Sequence, residues 1–304
     1  MATVQSTTSL ASVAQAFEGL NKTGNLLKLT GGPFYNASGD SHLQGIARYG
    51  NYYLITQNYK DHDSGRLYFF DATTLKYVND LHLHADSSAQ NSHDHCYNHP
   101  GGIQVIGNYL LIPIQTQDYK QSLIQLWDIS SLDNGDTNIK QLSNDFIPDS
   151  DNKQIGGIGI TAVSGTFLVA ACNNTVLYFY QSTGDNLESA SFSFLFQYQM
   201  QDSADEVCLI TEETTNAIFL IALYSLGDEP MVDYATLYQV DLANKTLDQV
   251  QNRHFVTVTP LGILSYQDVH FRYGSGINIT DEGALNLLAT ERVMQPHCDI
   301  NIFE

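Results

Sequence analysis

Basic residues are scarce in this chain. Its 304 residues include 13 Lys and Arg against 33 Asp and Glu, so the formal net charge is −20. A field of that sign repels the phosphate backbone of nucleic acids and the surface of anionic membranes. The composition therefore predicts no nucleic-acid partner and no membrane partner, and it favours cations or neutral molecules as ligands. The alternative interpretation is that the acids only keep a large β-rich surface soluble.

Long apolar runs, basic leader residues and cysteine-rich motifs are also missing. No segment is apolar for long enough to cross a bilayer, and the residues before Lys22 contain neither Lys nor Arg. These absences predict a soluble protein and favour a cytoplasmic location, with secretion as the alternative. The four cysteines match no zinc-binding spacing and no dense disulfide framework, although a disulfide between Cys96 and Cys298 stays open. Nothing in the chain indicates an oligomeric state.

What the chain does contain is a repeat. Five short apolar strands each close on an acid or an amide, at residues 67–71, 124–128, 176–181, 237–241 and 300–304. The spacing is about 60 residues, which suits one small four-stranded sheet with its loops. A two-strand unit precedes each of the first four closing strands, and Gly-Asn or Ser-Gly turns connect its strands in the first three copies.

The two ends of the chain complement each other. The fifth repeat ends at Glu304 without an outer strand, and one spare strand, residues 25–30, precedes the first repeat. If the spare strand pairs with the last repeat, a ring of sheets closes and loses its open edges. In this arrangement the chain resembles a five-bladed β-propeller. Sugar-binding lectins, glycosidases such as arabinanases and enzymes with a metal at the hub share that shape, and no motif connects this chain to any one of them.

We therefore predict an all-β fold, with a single five-bladed β-propeller domain at residues 25–304 that is closed by an N-terminal strand. Residues 1–24 are predicted to be a tail or a short helix. Leu10, Val13, Phe17 and Leu20 recur at helical spacing, which indicates a short amphipathic helix that caps the propeller. A frayed tail is the alternative. No Pro- or Ser-rich linker divides the chain into further domains.

The histidines are concentrated on one predicted face. In a propeller, the loops that lead into the inner strands lie on the same rim as the loops between the second and third strands. We call this rim the upper face, and the funnel to the hub opens there. Neutral imidazole is the commonest metal ligand in proteins, and the loop at 93–99 is the densest group. The pattern predicts one divalent metal ion of unknown identity, bound by His42, His93, His95, His99 and Asp205. A polar loop with solvent-facing histidines is the alternative.

The starts of the inner strands surround the predicted hub. Three of the five copies have Gly there, which lets the backbones crowd the axis. The other two have Glu206 and Asp268, and Asp205 precedes Glu206. We expect these carboxylates to converge in the funnel with His42 and His99. Such a group fits either a bound Ca²⁺ or transition metal, or an acid and base pair of the kind that glycosidases use.

Roles follow from residue chemistry. Catalytic roles are assigned to His99, Glu206, Asp268 and Tyr97, with the tyrosine as a proton donor. Substrate binding is assigned to Arg292, His297, Tyr266 and His62, because a guanidinium can clamp a substrate carboxylate. Arg48 and Arg272 are weaker candidates for the same role, since both lie within inner strands, where a salt bridge between blades is the expected use.

Two functions fit this site. The first is an enzyme, a hydrolase or lyase that acts on a small polar or sugar-like molecule at one hub-centred site with the help of a divalent metal. The second is a non-catalytic, lectin-like binder of a sugar or another small ligand. Lectin propellers usually repeat one aromatic site per blade, whereas the single Trp127 and the one His-rich loop break that symmetry. We therefore favour the enzyme. A protein-interaction scaffold, the third hypothesis, would spread its function over one rim.

Overall fold

The computed structural model describes most of the chain. The described residues are 9–32, 41–58, 65–83, 97–116, 119–143, 146, 154–227, 231–259, 268–293 and 297–304. Among them, no helix has the length and apolar character needed to cross a membrane.

The described residues form mainly β-strands. The first elements are β1 (Ser9–Leu10), α1 (Val13–Gly19) and β2 (Asn25–Leu29). Hydrogen bonds connect the later strands into four sheets, and the largest of these contains the strands of both the first and the last sequence repeat. We call the strands of the five sequence repeats blades 1 to 5 in chain order. Blade 1 contains β3 (Leu43–Tyr49), β4 (Tyr52–Gln57), β5 (Gly65–Asp71) and β6 (Lys76–Leu83). Blade 2 contains β7 (Tyr97–Pro100), β8 (Gln104–Ile106), β9 (Tyr109–Thr116), β10 (Ser122–Asp128) and β11 (Lys140–Gln141), with a 3₁₀ helix at Ser130–Asn134. Blade 3 contains β12 (Gly157–Val163), β13 (Thr166–Asn173), β14 (Val176–Ser182) and β15 (Phe192–Gln199). Blade 4 contains β16 (Glu206–Glu212), β17 (Ile218–Leu226), β18 (Val232–Asp241) and β19 (Thr246–Phe255). Blade 5 contains β20 (His270–Ile279), β21 (Leu285–Thr290) and β22 (Cys298–Phe303).

The N-terminal strand completes the last blade. Strand β2 pairs antiparallel with β22, from Asn25 opposite Ile302 to Leu29 opposite Cys298. The order β2-β22-β21-β20 thus gives blade 5 four strands, and each other blade follows the chain order in antiparallel ladders. The prediction of an all-β propeller closed by an N-terminal strand is confirmed.

The inner hairpins turn where the sequence predicts. Gly50 and Gly107 both have φ of +52°, a conformation that glycine adopts without strain. Blade 2 departs from the pattern, because its inner strand is divided into β7 and β8, and both parts pair with β9.

The apolar core lies between the blades. Five clusters of buried side chains each join two neighbouring blades, so that the clusters follow the ring from blade 1 to blade 5 and back. The alternation of each strand explains this, because successive side chains point to opposite faces of a blade and each face meets a neighbour.

The predicted N-terminal helix is present. In α1, Val13 and Phe17 are fully buried, and Leu10 and Leu20 on either side of it are also buried, within the cluster between blades 4 and 5. The guanidinium of Arg253 donates hydrogen bonds to the carbonyl oxygens of Phe17 and Leu20, so it satisfies acceptors at the helix end. Burial of such side chains contributes about 1.5–3 kcal/mol each. The division into residues 1–24 and a domain at 25–304 stays a prediction.

Candidate functional site at the hub

Glycines bring the inner strands into direct contact at the axis. A Cβ atom at Gly101 would lie 2.0 Å from the carbonyl oxygen of Gly156, and one at Gly45 would lie 2.6 Å from the Cα of Gly102. Real Cβ atoms essentially never make contacts under 3.0 Å. Backbone from neighbouring blades therefore fills this level of the axis, as the glycine pattern of the sequence predicts.

Glu206 occupies the space that these glycines leave. The residue is fully buried, and a Cβ atom at Gly102 would lie 0.9 Å from its Oε2. Its Oε1 accepts a hydrogen bond from the backbone nitrogen of Ile158 at 3.2 Å, so the side chain reaches from blade 4 to blades 3 and 2. Burial raises the pKa of this carboxyl group well above its usual range, which favours the neutral form. The sequence assigns Glu206 a catalytic role, but full burial puts its carboxyl group out of reach of a substrate and favours a structural role.

Gln104 ties the same three blades at a second level of the axis. Its side-chain oxygen accepts hydrogen bonds from the backbone nitrogens of Ile160 and Leu209, both at 2.9 Å. Its side-chain nitrogen donates to the carbonyl oxygen of Leu209 at 2.8 Å. The hub is therefore a packed, hydrogen-bonded structure at these two levels.

A polar pocket of about 230 Å³ lies beside this packed hub on the upper face. All five blades, with the loops that lead into them, contribute to its wall. The lining residues are Gln44, Gln115, Tyr119, Gln154, Gly156, Asn173, Asn174, Ala204, Asp205 and Arg272. Amide side chains dominate this lining, and Asp205 and Arg272 are its only charged residues within the described part of the chain.

Asp205 supplies the carboxyl group of the pocket. Its Oδ2 accepts a hydrogen bond from the backbone nitrogen of Ser225 at 3.3 Å, and its own nitrogen donates to the carbonyl oxygen of Leu223 at 2.9 Å. Burial raises the pKa of Asp205 to about 7, Arg272 opposes that increase, and Asp233 adds to it. A carboxyl group that titrates near neutral pH can donate or accept a proton under physiological conditions. The sequence predicts Asp205 as a metal ligand, and the structure adds proton transfer to its available chemistry.

A buried network between blades 4 and 5 supports Asp205. Asp233 is buried, and its Oδ1 accepts hydrogen bonds from the Ser225 hydroxyl at 2.6 Å and from the backbone nitrogen of Phe271 at 2.9 Å. Its Oδ2 lies 2.9 Å from Nδ1 of His270. Ser225 thus connects Asp205 in the pocket to the buried Asp233. Both oxygens of Asp233 already have hydrogen-bond partners, so its role is to orient Ser225 and, through it, Asp205.

A β-bulge presents Arg272 to the pocket. The ladder between β20 and β21 shifts register between His270 and Ser275, and inside that stretch the backbone nitrogen of Arg272 donates to the Ser225 hydroxyl at 3.0 Å. Bulges re-aim side chains in this way. Among the described residues, the guanidinium of Arg272 has no salt-bridge partner and no hydrogen-bond acceptor. The salt bridge between blades that the sequence predicts for Arg272 is therefore not found in that part of the chain.

His42 and His99 come together beside the pocket, as the sequence predicts. Their ring centroids are 5.7 Å apart, and the side-chain nitrogen of Gln44 lies 2.5 Å from Nε2 of His42 and 2.8 Å from Nε2 of His99. The ring of Tyr119 also contacts His99, with 5.0 Å between centroids. Burial and the neighbouring His42 lower the pKa of His99 to about 3, so His99 is neutral at physiological pH. Gln44 and Tyr119 line the pocket, and they lie between it and the two histidines.

Tyr97 and Asp268 lie on the upper face but not in the described pocket wall. Tyr97 begins β7, is half-buried, and donates a hydrogen bond from its hydroxyl to Oε1 of Gln121 at 3.3 Å. Burial raises the pKa of this tyrosine. Asp268 is half-buried just before β20. Their catalytic roles stay predictions.

Arg292 and His297 belong to a separate group in blade 5. The guanidinium of Arg292 lies over the ring of Tyr273, 5.7 Å from its centroid. His297 contacts the buried Asp299, with 3.1 Å between Nε2 and Oδ2. The pKa of Glu291, beside Asp299, is raised to about 9 by burial. None of these side chains lines the described pocket, so their substrate-binding roles also stay predictions.

Four of the predicted site residues, His62, His93, His95 and Tyr266, lie outside the described residues. Cys96 does too, while Cys298 is a buried free thiol. Within the described ranges, no group of three or more His, Cys, Asp or Glu side chains is arranged to hold a metal ion. The metal site therefore stays a prediction.

A larger cavity, of about 420 Å³, opens on the opposite rim between blades 5 and 1. Arg48, Asn51, Asn278 and Glu282 are among its lining residues. Arg48 is a weaker substrate-binding candidate, and no other predicted site residue is in the described lining of this cavity. We regard the smaller hub pocket as the candidate site, because it contains a carboxyl group whose pKa lies near neutral pH.

The sequence analysis missed the amides Gln115 and Asn173. Each lies at the end of the second strand of its blade, on the upper face. An alignment of the repeats at that position, in addition to the inner-strand starts, would have found them. Asp233 and His270 carry no such signal, because they come from different blades and are 37 residues apart.

Comparison with known proteins shows the fold. No protein-family model matches the sequence, and no curated protein matches it. The catalytic domain of a GH62 α-L-arabinofuranosidase from Coprinopsis cinerea is similar in structure, with a TM-score of 0.54 and 8% identity over 93% of this chain and 96% of that one. An α-L-arabinofuranosidase from Podospora anserina, in complex with cellotriose, gives a TM-score of 0.52 at 9% identity over 100% and 98% of the two chains. A GH32 β-fructofuranosidase from Bombyx mori gives 0.51 at 11% identity over 93% of this chain and 61% of that one. At these identities the likeness concerns the fold alone.

Proposed function

We propose that this protein is a hydrolase that acts on a sugar or glycoside in the hub pocket, with Asp205 as the proton donor to the leaving group. One observation carries the proposal: the only carboxyl group in the described pocket lining has its pKa raised to about 7. A carboxyl group with that pKa is partly protonated at neutral pH, as a general acid must be. The surrounding amides offer donors and acceptors for sugar hydroxyl groups.

In the proposed mechanism, Asp205 protonates the glycosidic oxygen as its bond to the sugar breaks. A second carboxylate then attacks the sugar carbon or activates a water molecule for that attack. Asp268 is our candidate for this second group, because it precedes the inner strand of the neighbouring blade. Ser225 and Asp233 orient Asp205 through the hydrogen bonds described above. Burial and the neighbouring Asp233 raise the pKa of Asp205 and favour the acid form, whereas the hydrogen bond from Ser225 lowers it.

The fold is compatible with this function and does not establish it. Three of the similar structures are glycoside hydrolases, but fold and function vary independently at such low identity. The lyase that the sequence analysis also considered has no comparable support.

A divalent metal at His42 and His99 remains part of the proposal. The Nε2 atoms of both rings approach the side-chain nitrogen of Gln44, so rotation of that amide would open a position between the two imidazoles. Elemental analysis of protein purified without chelator, repeated on the His42→Ala/His99→Ala variant, tests this part. Metal that is absent from the wild type, or retained in the variant, would reject it.

Hydrolysis of a panel of methyl glycosides and disaccharides tests the main proposal, because the alkoxide leaving groups of these substrates need a proton donor. We expect activity in the wild type whose kcat falls as Asp205 deprotonates near pH 7, and loss of that activity in Asp205→Asn. The same variant should keep a wild-type circular dichroism spectrum. Equal activity in the wild type and the variant would reject Asp205 as the proton donor.

A non-catalytic sugar binder is the second candidate. Five amides and only one carboxyl group line the described pocket, a composition that suits hydroxyl recognition without catalysis. Sugar binding by calorimetry without turnover of any glycoside in the panel would favour this function over the hydrolase.

A further inference from the structure

The class of sugar that the pocket binds can be inferred further if the proposed function holds, and this inference rests on that function. We propose that the hub pocket takes a sugar that carries a carboxylate, such as a uronic acid, and that Arg272 binds this carboxylate. Arg272 is the only cation in the described lining. Its guanidinium forms no salt bridge and no hydrogen bond among the described residues.

The guanidinium of Arg272 is exposed beside the pocket acid and is not held by a salt bridge or a hydrogen bond among the described residues. Arg66 differs, because its guanidinium pairs with Asp80 on the neighbouring strand. Arg272 does interact with Asp205, whose pKa it lowers. Guanidinium groups match carboxylates with two parallel hydrogen bonds. We infer that a ligand carboxylate takes these hydrogen bonds from Arg272.

The backbone around Arg272 is built to hold this orientation. The register shift between His270 and Ser275 takes Arg272 out of the regular ladder. Its backbone nitrogen then bonds to the Ser225 hydroxyl, which Asp233 fixes in turn. The guanidinium therefore projects from a hydrogen-bonded bulge rather than from a loose loop, which reduces the entropy lost when it binds a ligand.

The charges of the site also suit an acidic sugar. The net charge of −20 disfavours anions over most of the surface, so an anionic ligand needs a local cation. Gln44, Gln115 and Asn173, from blades 1 to 3, line the pocket where the hydroxyl groups of the sugar would lie.

Calorimetric titration measures the preference without depending on hydrolysis. The ligands are D-galacturonate and D-glucuronate, with D-galactose and D-glucose as their neutral counterparts, at low ionic strength and slightly acidic pH. We expect the uronates to bind about ten- to a hundredfold more tightly than the neutral sugars, which is the usual contribution of a charge-assisted hydrogen-bonded pair. Added salt should weaken only the uronates.

Three variants test whether Arg272 causes the preference for uronates over neutral sugars. Arg272→Gln should remove the preference, and Arg272→Lys should keep part of it, since it retains the charge but not the planar fork. Arg48→Gln is the matched control, because Arg48 also lies in an inner strand but lines the cavity on the opposite rim. It should retain the full preference. Thermal unfolding checks that each variant is folded, and Arg272→Lys decides the question if Arg272→Gln does not fold.

The outcomes separate this inference from the proposed function. Neutral sugars that bind or react as well as uronates would overturn the acidic-sugar inference and leave the hydrolase proposal standing. A uronate preference that survives Arg272→Gln would overturn the role of Arg272. If no sugar of either class binds to or is hydrolysed by the folded wild type, both proposals fail.

Discussion

Asp205 and Glu206 are adjacent in the chain but have opposite environments. Asp205 lines the pocket and has a pKa of about 7, whereas Glu206 is fully buried in the hub with its pKa raised far above the usual range. Glu206 begins β16 and Asp205 lies in the loop just before it, so the two neighbouring acids serve two different regions. The same physical effect, loss of hydration, raises both pKa values. Contact with the pocket, and not the size of the pKa shift, therefore separates the candidate acid from the structural one.

The hub and the pocket should respond differently to mutation, and the largest effect is expected in the hub. In Gly101→Ala, the new Cβ would lie 2.0 Å from the Gly156 carbonyl oxygen, and backbone cannot yield as a flexible side chain does. We expect a loss of more than about 3 kcal/mol in the free energy of unfolding, or failure to fold. The control is Gly184→Ala, where the Cβ would meet nothing within 4 Å. Urea unfolding measures both, and similar stability of the two variants would contradict the packed hub.

Activity should depend on the pocket acid and not on the hub acid. Asp205→Asn should lower kcat/KM by about 10²–10⁴-fold, the usual contribution of a general acid. Glu206→Gln, which keeps the shape of the buried side chain, should leave kcat/KM close to the wild-type value. Steady-state kinetics on the best substrate of the glycoside panel gives both numbers. The reverse pattern would restore Glu206 to the catalytic role that the sequence assigns to it.

Asp205 and Glu206 should each make the free energy of unfolding depend on pH, but in different pH ranges. An acid whose pKa is raised on folding binds more protons in the folded state, so the free energy of unfolding falls as pH rises from the unfolded to the folded pKa. For Asp205 this window runs from 3.8 to about 7, and for Glu206 it starts at 4.5 and extends upward. Asp205→Asn should therefore flatten the profile up to neutral pH, and Glu206→Gln should stabilise the protein most at alkaline pH. Denaturant unfolding at a series of pH values measures this, and parallel profiles for wild type and variants would show that neither shift exists.

The smallest effect is expected from a single pocket amide. Gln115→Ala removes one potential contact to a sugar hydroxyl, so KM or Kd should rise by about two- to tenfold while kcat changes little. Gln249→Ala, on the exposed face of the outer strand β19, is the matched control and should have no effect. An equal response of the two variants would indicate that the sugar binds elsewhere.

The fold was accessible from the sequence because its signals are local. Turn residues such as Gly50 and Gly107, strand alternation and the repeat length each depend on neighbours in the chain, and they predicted the blades and the closure by residues 25–30. The helical spacing of Val13 and Phe17 predicted α1 in the same way. The glycine pattern at the inner-strand starts also indicated where backbones meet.

The candidate site was accessible only in part. Alignment of the inner-strand starts found the position of Asp205 and the approach of His42 to His99, because the ring of blades makes equivalent positions neighbours. The bulge that presents Arg272 and the contact between Asp233 and His270 were not accessible, since both depend on pairings between segments that are distant in sequence.

Sequence alone thus determined the repeat and the ring of blades, because periodicity and turn chemistry depend on consecutive residues, and it predicted the face on which a site would lie. Only the tertiary structure decided which of two adjacent acids meets the pocket, which arginine lines it and which histidine has its pKa lowered. Those properties depend on burial and on charges from other blades, so they exist only after the ring has closed.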